Sequence, residues 1–576
     1  MTFDEVFARL QQPGLDAEQR MLVTVETTLE MHAPRVRAAC HAAAVPHSFN
    51  AAILARLLGV DLPEAEDLTR ELAGLSFVET FPLRGGWNVH KRIRLAMRLK
   101  LQRDDPERFK LLSERAGACS YGDQVVNRVE AIYHGLSSDP DKTAGELERT
   151  YLEWFRSGRL EALHMLATAL EELRAFPLDD TARAGALVFL GWIWLYRYPL
   201  DETEKLAREA LRIIPPSGKP TSLADAHHLL GQVLDWQGKT KDALPHLQTA
   251  QQLLTEALAA DPANVEIKRD LAIAHILIAR NSTSIGAVDR ALEQYDESRR
   301  ILLELIDLEP YNPTWKREIS VTYYDVGKIY EDQKNFPLAL KAFQTDRRIA
   351  ASLADAEPEN PDRKRDLAGS YNNIGRLFMD EKKFSEALEE YQIYESSMQG
   401  LIAVDPSNLD WQRELAIAMQ CIGNAYNALE RSAEAIEKYQ ASRRILEGLT
   451  ELDPRNAGWK RDLSMVDDRM GRAYRSQNLF PEALASFGRS QGVLEALLAM
   501  QPDNIEWLRG LSFVYHQIGR VHEAQGDTAG ALASFEKDLA IAQRIAALQP
   551  DNETRKDELR VSQEAVERAR KTKIIG

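Results

Sequence analysis

Apolar and polar positions follow a helical spacing along most of the chain. In one stretch the apolar positions fall at i, i+3, i+4 and i+7, which is one face of a helix: Tyr371, Ile374, Gly375 and Phe378. After a break at residues 380–384, Ser385 is placed to cap a second helix that carries Ala387. That helix ends before Pro406, because proline cannot continue a helix. The pattern therefore predicts a helical hairpin.

The hairpin pattern recurs with a period of 48 residues, without insertion or deletion. The alanine of the second helix recurs as Ala243, Ala291, Ala339, Ala387, Ala435, Ala483 and Ala531. A proline keeps the same phase, as Pro262, Pro310, Pro358, Pro406, Pro454, Pro502 and Pro550. An asparagine follows two residues behind each proline: Asn264, Asn312, Asn360, Asn408, Asn456, Asn504 and Asn552. Such periods are typical of all-α solenoids, in which each unit buries its apolar face against its neighbours.

Two further columns concern the packing within each hairpin. A small residue lies where the two helices cross: Gly231, Ala279, Gly327, Gly375, Gly423, Gly471 and Gly519. A bulky residue follows sixteen positions later: Leu247, Tyr295, Phe343, Tyr391, Tyr439, Phe487 and Phe535. From residue 219 to the C-terminus this spacing resembles the tetratricopeptide repeat, in a variant lengthened from the usual length of about 34 residues. The resemblance implies a right-handed superhelical solenoid whose concave groove is lined by the first helix of each hairpin.

Residues 1–102 follow a different pattern. Helices are predicted at residues 16–44, 49–58 and 63–75, and two short strands at 77–81 and 87–90. Arg84, Gly85 and Gly86 between the strands favour a hairpin turn, and a closing helix follows over residues 90–101. Three helices, a hairpin and a closing helix predict a winged-helix-like domain. Such a domain serves either DNA binding or packing.

Three stretches of this region, residues 47–59, 68–78 and 87–94, resemble the winged-helix segment of STAND ATPases. These signalling NTPases carry repeat arrays after their nucleotide domain. In that family a histidine in a Met-His-Asp motif senses the nucleotide phosphate, and the resemblance assigns that position to His90. Lys91 replaces the acidic residue, and we expect the NTPase domain to be lacking. A helix-capping or half-buried role for His90 is therefore the favoured interpretation.

Residues 103–218 are helical in pattern but aperiodic. Loops are predicted at residues 135–142 and 215–220, which are rich in glycine, proline and serine. We interpret this segment as irregular helical hairpins, or degenerate repeats. The predicted organisation is a winged-helix-like domain in residues 1–102, irregular hairpins in 103–218, and a tetratricopeptide-like solenoid in 219–576.

The motifs of enzymes and cofactor sites do not occur. A phosphate loop needs the pattern GxxxxGK[ST], and only residues 238–240 come close, with Val233 in place of the first glycine. Gly238 shares the repeat phase of Gly526, which favours a turn between helices. The sequence has no dinucleotide fingerprint, HExxH helix or GxSxG elbow. We predict a non-enzymatic protein with no cofactor and no metal site.

Composition and targeting signals fit a cytoplasmic protein. The chain is 44% hydrophobic and 28% charged, as in helical globular proteins. Three scattered cysteines, Cys40, Cys119 and Cys421, favour neither disulfides nor a zinc site. The N-terminus lacks a signal-peptide pattern, and the longest apolar run, residues 186–196, is too short to span a bilayer. We therefore expect no membrane partner.

The net charge of −16 argues against a general affinity for nucleic acid. One stretch departs from this balance, with Lys91, Arg92, Arg94, Arg98, Lys100 and Arg103. However, the helix that would enter the DNA groove, residues 63–75, is acidic, so phosphates would repel it. We interpret the basic stretch as a solvated helix face or a docking surface rather than a DNA reader.

The candidate partner site lies in two columns of the first helices. The residue after the crossing glycine is mostly basic: Gln232, Arg280, Lys328, Arg376, Asn424, Arg472 and Arg520. The residues four positions earlier share the same face: His228, Ile276, Tyr324, Asn372, Gln420, Asp468 and His516. The resemblance implies that both columns point into the groove, where basic and asparagine side chains hold the carboxylates of an extended peptide. The predicted groove residues are Arg280, Lys328, Arg376, Asn424, Arg472, Arg520, Tyr324, Asn372 and His516. Alternatively, the basic column only solvates the groove and offsets nearby acids.

A second basic column is more uniform, with Arg269, Arg317, Arg365, Arg413, Arg461 and Arg509. In most copies an aromatic residue precedes the arginine and an acid follows it. A contact repeated in every unit suits a structural role better than a site for one ligand. We predict that these arginines pack on aromatic residues and pair with acids between neighbouring repeats.

Three classes of function follow. The one we expect is a non-enzymatic protein–protein interaction scaffold or adaptor in a bacterial signalling or defence complex, which binds a protein partner, such as an acidic or extended peptide segment, in its groove. The alternative is a STAND-like sensor or regulatory arm acting with an ATPase or protease effector in trans. A DNA-binding regulator that uses Arg92, Arg94 and Arg98 is the third.

Overall fold

The computed structural model describes residues 17–81, 85–120, 124–156, 159–174, 176, 178–195, 199–214, 219–550 and 552–575. These residues form helices and one two-stranded antiparallel sheet. The chain divides into two compact units, Met1–Ile301 and Leu302–Gly576, and the division falls inside one long helix. The all-α fold class predicted from the pattern is confirmed.

The first unit begins with four helices, a hairpin and a fifth helix. They are α1 (Ala17–Glu30), α2 (Pro34–Ala43), α3 (Ala51–Leu58), α4 (Leu62–Ala73), β1 (Val78–Phe81), β2 (Gly86–Val89) and α5 (Lys91–Asp104). The single helix predicted over residues 16–44 is wrong, because Pro34 starts a new helix at its first turn, where a missing N–H is tolerated. Asn50 and Asp61 cap α3 and α4 through their side chains.

The predicted hairpin is confirmed. Strands β1 and β2 pair antiparallel, with Val78 opposite Val89, and a separate bridge joins Phe49 to Trp87. Arg84, from the predicted turn, lies outside the described residues. The winged-helix identity of this region stays a prediction.

Helical hairpins complete the first unit. They comprise α6 (Pro106–Ala118), α7 (Val125–Ser138), α8 (Pro140–Arg156), α9 (Leu160–Leu173), α10 (Asp180–Trp194), α11 (Leu200–Ile213), α12 (Pro220–Trp236), α13 (Thr240–Ala260), α14 (Val265–Ser284) and the start of α15 (Val288–Leu308). The loop predicted at residues 135–142 is wrong. Only Asp139 separates α7 from α8, and Pro140 supplies the preset backbone angle that opens α8.

The second unit continues the 48-residue hairpins with regular bounds. They are α16 (Pro313–Asp332), α17 (Phe336–Ala356), α18 (Pro361–Asp380), α19 (Phe384–Val404), α20 (Leu409–Ala428), α21 (Ser432–Leu452), α22 (Ala457–Ser476), α23 (Phe480–Met500), α24 (Ile505–Gln525), α25 (Thr528–Leu548) and α26 (Glu553–Ile575). Each packs against the next along the chain. We call the even-numbered helices of this unit A helices and the odd-numbered ones B helices.

The asparagine column marks the turn from each B helix to the next A helix. Asn312 accepts a hydrogen bond from the backbone N–H of Thr314 at 2.9 Å, and Asn408 accepts one from Trp411 at 3.1 Å. These caps satisfy N–H groups that the first turn of a helix leaves without a partner. The recurrence of asparagine is thus explained by helix capping.

The turn from A helix to B helix uses a left-handed residue. Lys334, Lys382, Glu430, Asn478 and Gly526 occupy it, with φ between 59° and 77°. The equivalent Gly238 of the first unit has φ 76° between α12 and α13, which confirms the prediction of a turn there.

The prediction that Ser385 caps its helix is wrong. Lys383 holds the N-cap position without a side-chain bond, since the left-handed Lys382 turns the chain one step earlier.

The crossing glycines allow close contact between the two helices of each hairpin. A Cβ on Gly423 would lie 2.5 Å from the ring of Tyr439, and one on Gly471 would lie 2.6 Å from Phe487. Carbon atoms do not approach so closely, so a Cβ at either of these two positions would displace the ring. The predicted pairing of the two columns is confirmed.

In the described part of the chain, no helix is both long enough and apolar enough to cross a membrane.

Candidate interaction surface on the A helices

The uniform arginine column joins neighbouring repeats. Arg317 lies 3.2 Å from Asp366, Arg413 lies 2.6 Å from Asp462, and each acid belongs to the following A helix. Equivalent pairs join Arg365 to Glu414 and Arg509 to Glu558. The predicted pairing with acids is therefore found in the structure.

Arg461 departs from this ladder in an informative way. The acid expected 49 positions later is replaced by Gly510, and Arg461 pairs instead with Glu506, one helical turn earlier. Gly510 is one of the residues that line a cavity of about 350 Å³. The ion pair between neighbouring repeats is thus kept even where glycine replaces the usual acid.

The predicted groove column after the crossing glycine divides into half-buried and exposed members. The Lys328 Nζ lies 2.8 Å and the Arg376 Nη1 lies 2.6 Å from one oxygen of Glu331, which is buried. Asn424 accepts a hydrogen bond from the Tyr439 hydroxyl at 2.8 Å. These three side chains are engaged within the protein.

Arg472 and Arg520 differ from those members because both are exposed. Arg472 contacts Asp468 at 3.2 Å, and its guanidinium lies 5.7 Å from the ring centre of Phe513. Arg520 forms no ion pair with any described residue. Arg280, also exposed, belongs to the first unit.

The second predicted column lies deeper. The His516 Nδ1 lies 3.0 Å from Asp538, which also accepts a hydrogen bond from Ser512. Asn372 accepts a weak hydrogen bond from the Cys421 thiol at 3.7 Å. Tyr324 is half-buried, 6.1 Å between ring centres from Phe343.

Three cavities open along the A helices, at equivalent positions of the repeat. One of about 540 Å³ is lined by Tyr324 and Asn372, and the one of about 350 Å³ by Arg472. A third, of about 520 Å³, is lined by His516 and Arg520. Lys328, Arg376 and Asn424 line none of the three. The structure thus brings five predicted residues to cavities of one kind.

The sequence analysis missed an apolar column on the same face. Its members are Val321, Gly369, Ile417, Met465, Phe513 and Val561, and all of them line these cavities. Met465 is 37% exposed, Phe513 44% and Val561 49%. Their common phase in the repeat was a usable signal, although the residue type changes from copy to copy. We call this column, with Arg472 and Arg520, the A-helix face.

Positive charge accumulates at one end of the A-helix face. Burial lowers the pKa of Arg475, and the charges of Arg520 and Arg472 lower it further. Burial raises the pKa of Asp468 even though Arg472, Arg469 and Arg475 act against that change. Several arginines therefore surround Asp468, and one of them, Arg472, lies beside Phe513.

Two members of the predicted basic stretch of the first unit, Arg94 and Arg98, are buried, so the interpretation as a solvated face is wrong for these two. The Arg94 Nη2 lies 2.6 Å from Glu172 of α9, and the Lys91 Nζ lies 2.9 Å from the other carboxylate oxygen. Burial raises the pKa of Glu172, but hydrogen bonds and charges from His47, Arg94 and Lys91 outweigh it and hold that pKa far below its usual range. The stretch docks α5 onto the hairpins of its own unit.

Arg98 is fully buried in this network. Its Nη1 donates a hydrogen bond to the carbonyl of Val45 at 2.6 Å. The guanidinium lies 4.4 Å from the ring centre of Tyr133 and 4.7 Å from that of Phe176, which are cation–π distances. A guanidinium in this position is inaccessible to DNA.

His90 occupies the N-cap position of α5, but its side chain makes no capping hydrogen bond. The residue is exposed. The prediction that His90 is half-buried is therefore wrong. His90 is the N-cap residue of α5 by its backbone position, and its side chain takes no part in the cap.

The fold and the contacts define a helical-repeat protein. A family model for the tetratricopeptide repeat matches residues 514–547. That match spans 34 of the 48 residues of one unit, from the middle of α24 to the end of α25. The chain thus contains a tetratricopeptide repeat. A search of curated proteins found no match.

Solved structures of similar fold include several bacterial and archaeal proteins. A STAND protein with a tetratricopeptide repeat sensor from Pyrococcus horikoshii is 12% identical, with a TM-score of 0.47; the alignment covers 81% of this chain and 66% of that one. The apo quorum sensor NprR from B. thuringiensis is 13% identical, with a TM-score of 0.44 and coverages of 70% and 99%. Such identities concern the fold alone.

Proposed function

We propose that this protein is a non-enzymatic scaffold that binds a protein partner along the A-helix face of its second unit. The observation that carries the proposal is the recurrence of three cavities at one phase of the repeat, each lined by both arginine and apolar side chains. An exposed apolar column bordered by fixed polar groups is the usual character of a recognition surface.

The partner segment is acidic and extended. Arg472, Arg475 and Arg520 provide positive charge in a chain whose net charge is −16. Carboxylates of a partner would relieve the mutual repulsion of these arginines, and Phe513 would contact an apolar residue next to them. The residues already bonded within the protein, such as Arg376, would contribute shape rather than direct contacts.

We place the scaffold in a cytoplasmic signalling or defence complex of a bacterium. The alternative is a sensor arm that acts with a separate ATPase or protease. Exposure of His90 at the start of α5 favours that alternative, because the side chain is available to a domain acting in trans. Burial of Arg94 and Arg98 argues against the DNA-binding regulator.

Affinity purification from the native cell tests the proposal. The wild-type protein is compared with a variant carrying Arg472→Glu and Arg520→Glu. A matched control carries Arg348→Glu and Arg444→Glu, which change the same charge at exposed positions of the B helices. We expect the first variant to lose a protein that the wild type and the control both retain.

Circular dichroism of all three proteins checks that the fold is intact. The same set of co-purifying proteins with both variants would contradict the proposal.

A further inference from the structure

The turns from B helix to A helix carry a second recurring apolar feature. The last residue of each B helix in the second unit, and of α15, is exposed: Leu308, Ala356, Val404, Leu452, Met500 and Leu548. All but Ala356 are large, and these five are between 41% and 72% exposed. A single exposed leucine is ordinary, but recurrence at one phase of a solenoid aligns the side chains along one edge. We call these six residues the turn edge.

The turn edge is flanked by acids. Seven acidic residues of these turns form no ion pair with any described residue: Asp307, Glu309, Asp355, Glu359, Asp405, Glu451 and Asp453. A proline follows each residue of the turn edge by two positions. Between the edge residue and the residue after that proline, the only basic residue in the six turns is Arg455. The edge therefore combines apolar contact area with negative charge.

The turn edge is distinct from the A-helix face. None of its six residues lines the three cavities. It also lies in the part of the unit that the 34-residue tetratricopeptide match leaves out, since residue 548 follows the matched segment directly. The 14 additional residues per unit thus supply an edge of their own.

We propose that the turn edge is a docking surface for a basic amphipathic segment of a partner protein. Charge complementarity selects this occupant, because seven acids without an ion pair flank the part of the apolar row from Leu308 to Leu452. The turn edge of a second copy would bring like charges together, and anionic lipid would be repelled for the same reason. A basic segment with one apolar face satisfies both components of the edge.

A synthetic helical peptide of leucine and lysine, about 18 residues long with leucine on one face, serves as the probe. Fluorescence anisotropy measures its binding to the full chain. The test variant carries Val404→Gln, Leu452→Gln and Met500→Gln. A matched control carries Leu338→Gln, Ile393→Gln and Leu479→Gln, which are exposed apolar residues at other phases of the repeat.

We expect the test variant to weaken binding by about tenfold or more and the control by less than about twofold. A leucine–glutamate peptide and a scrambled leucine–lysine peptide should bind at least about tenfold more weakly than the probe. Equal effects of the two variants, equal binding of the scrambled peptide, or no binding of the probe would overturn the proposal. These outcomes do not depend on Arg472 or Arg520, so they are separate from the test of the A-helix face.

Discussion

The two units of this protein hold their charged side chains in opposite ways. In the first unit, Arg94, Arg98 and Glu172 are buried in one network that occurs once. In the second unit, Arg317 and Arg365 belong to a ladder of half-exposed ion pairs that recurs in successive repeats. Burial makes an ion pair strongly dependent on both partners, whereas exposure leaves it worth little. The network of Arg94, Arg98 and Glu172 is thus buried and occurs once, whereas the ladder of the second unit is half-exposed and repeated.

Loss of Glu172 should have the largest effect. Glu172→Gln leaves Arg94 buried without its carboxylate, and we expect the first unit to lose about 3–5 kcal/mol of stability. Urea unfolding followed by hydrogen exchange in α5 and α9 measures this. The matched change in the ladder, Arg365→Ala, should cost about 0–1 kcal/mol. Similar losses in the two variants would remove the contrast between the units.

Asp346 tests whether the stability of the second unit also depends on a buried charge. Burial raises the pKa of Asp346 to about 6, above its ordinary value of 3.8. The folded protein therefore holds an extra proton between these values, and stability falls as the pH rises through the window. Asp346→Asn should be more stable than wild type by about 1–3 kcal/mol at neutral pH and similar to it below the window. A gain that is the same at both pH values would contradict this account.

The crossing glycines test the close packing of the hairpins. Gly423→Ala should cost about 1–3 kcal/mol, because the added methyl group meets the ring of Tyr439. Gly448 lies in helix α21 with open space around its Cβ position, so Gly448→Ala should be neutral or stabilising by up to about 1 kcal/mol. Thermal unfolding distinguishes the two. If both substitutions act alike, the glycines are not needed for close approach.

The smallest effect concerns the left-handed turn. Lys382 adopts φ 61°, which is strained for a residue with a Cβ. Lys382→Gly should therefore stabilise the protein by about 1 kcal/mol, and Gly526→Ala should destabilise it by a similar amount. Urea midpoints of the two variants should move in opposite directions; a destabilised Lys382→Gly would show that the turn carries no strain.

How well the sequence predicts each part depends on repetition. The crossing glycines and the arginine pairs could be predicted because each column recurs with nearly one residue type, whereas the asparagine column was found without its capping role. The apolar column from Val321 to Val561 was missed because its residue type changes, although its phase does not. The network around Arg98 could not be predicted, since it joins residues as distant as His47 and Glu172, and basic side chains are rarely buried.

The candidate site was predicted only in part for a related reason. The two groove columns were predicted from the tetratricopeptide pattern, which contains no information on the ion pairs and hydrogen bonds that a particular protein forms between its own side chains. Lys328 and Arg376 converge on the buried Glu331, a position that no repeat pattern reveals. Arg472 stays exposed although it contacts Asp468, and Arg520 is exposed without an ion pair to any described residue.

Site-specific photo-crosslinking in the native cell tests the central claim most directly. A photoreactive amino acid replaces Phe513, which is 44% exposed on the A-helix face, or Leu338, which is 41% exposed on a B helix. The account predicts a covalent adduct with a partner protein at position 513 and none at position 338. No adduct at position 513, or the same adduct at both positions, would contradict it.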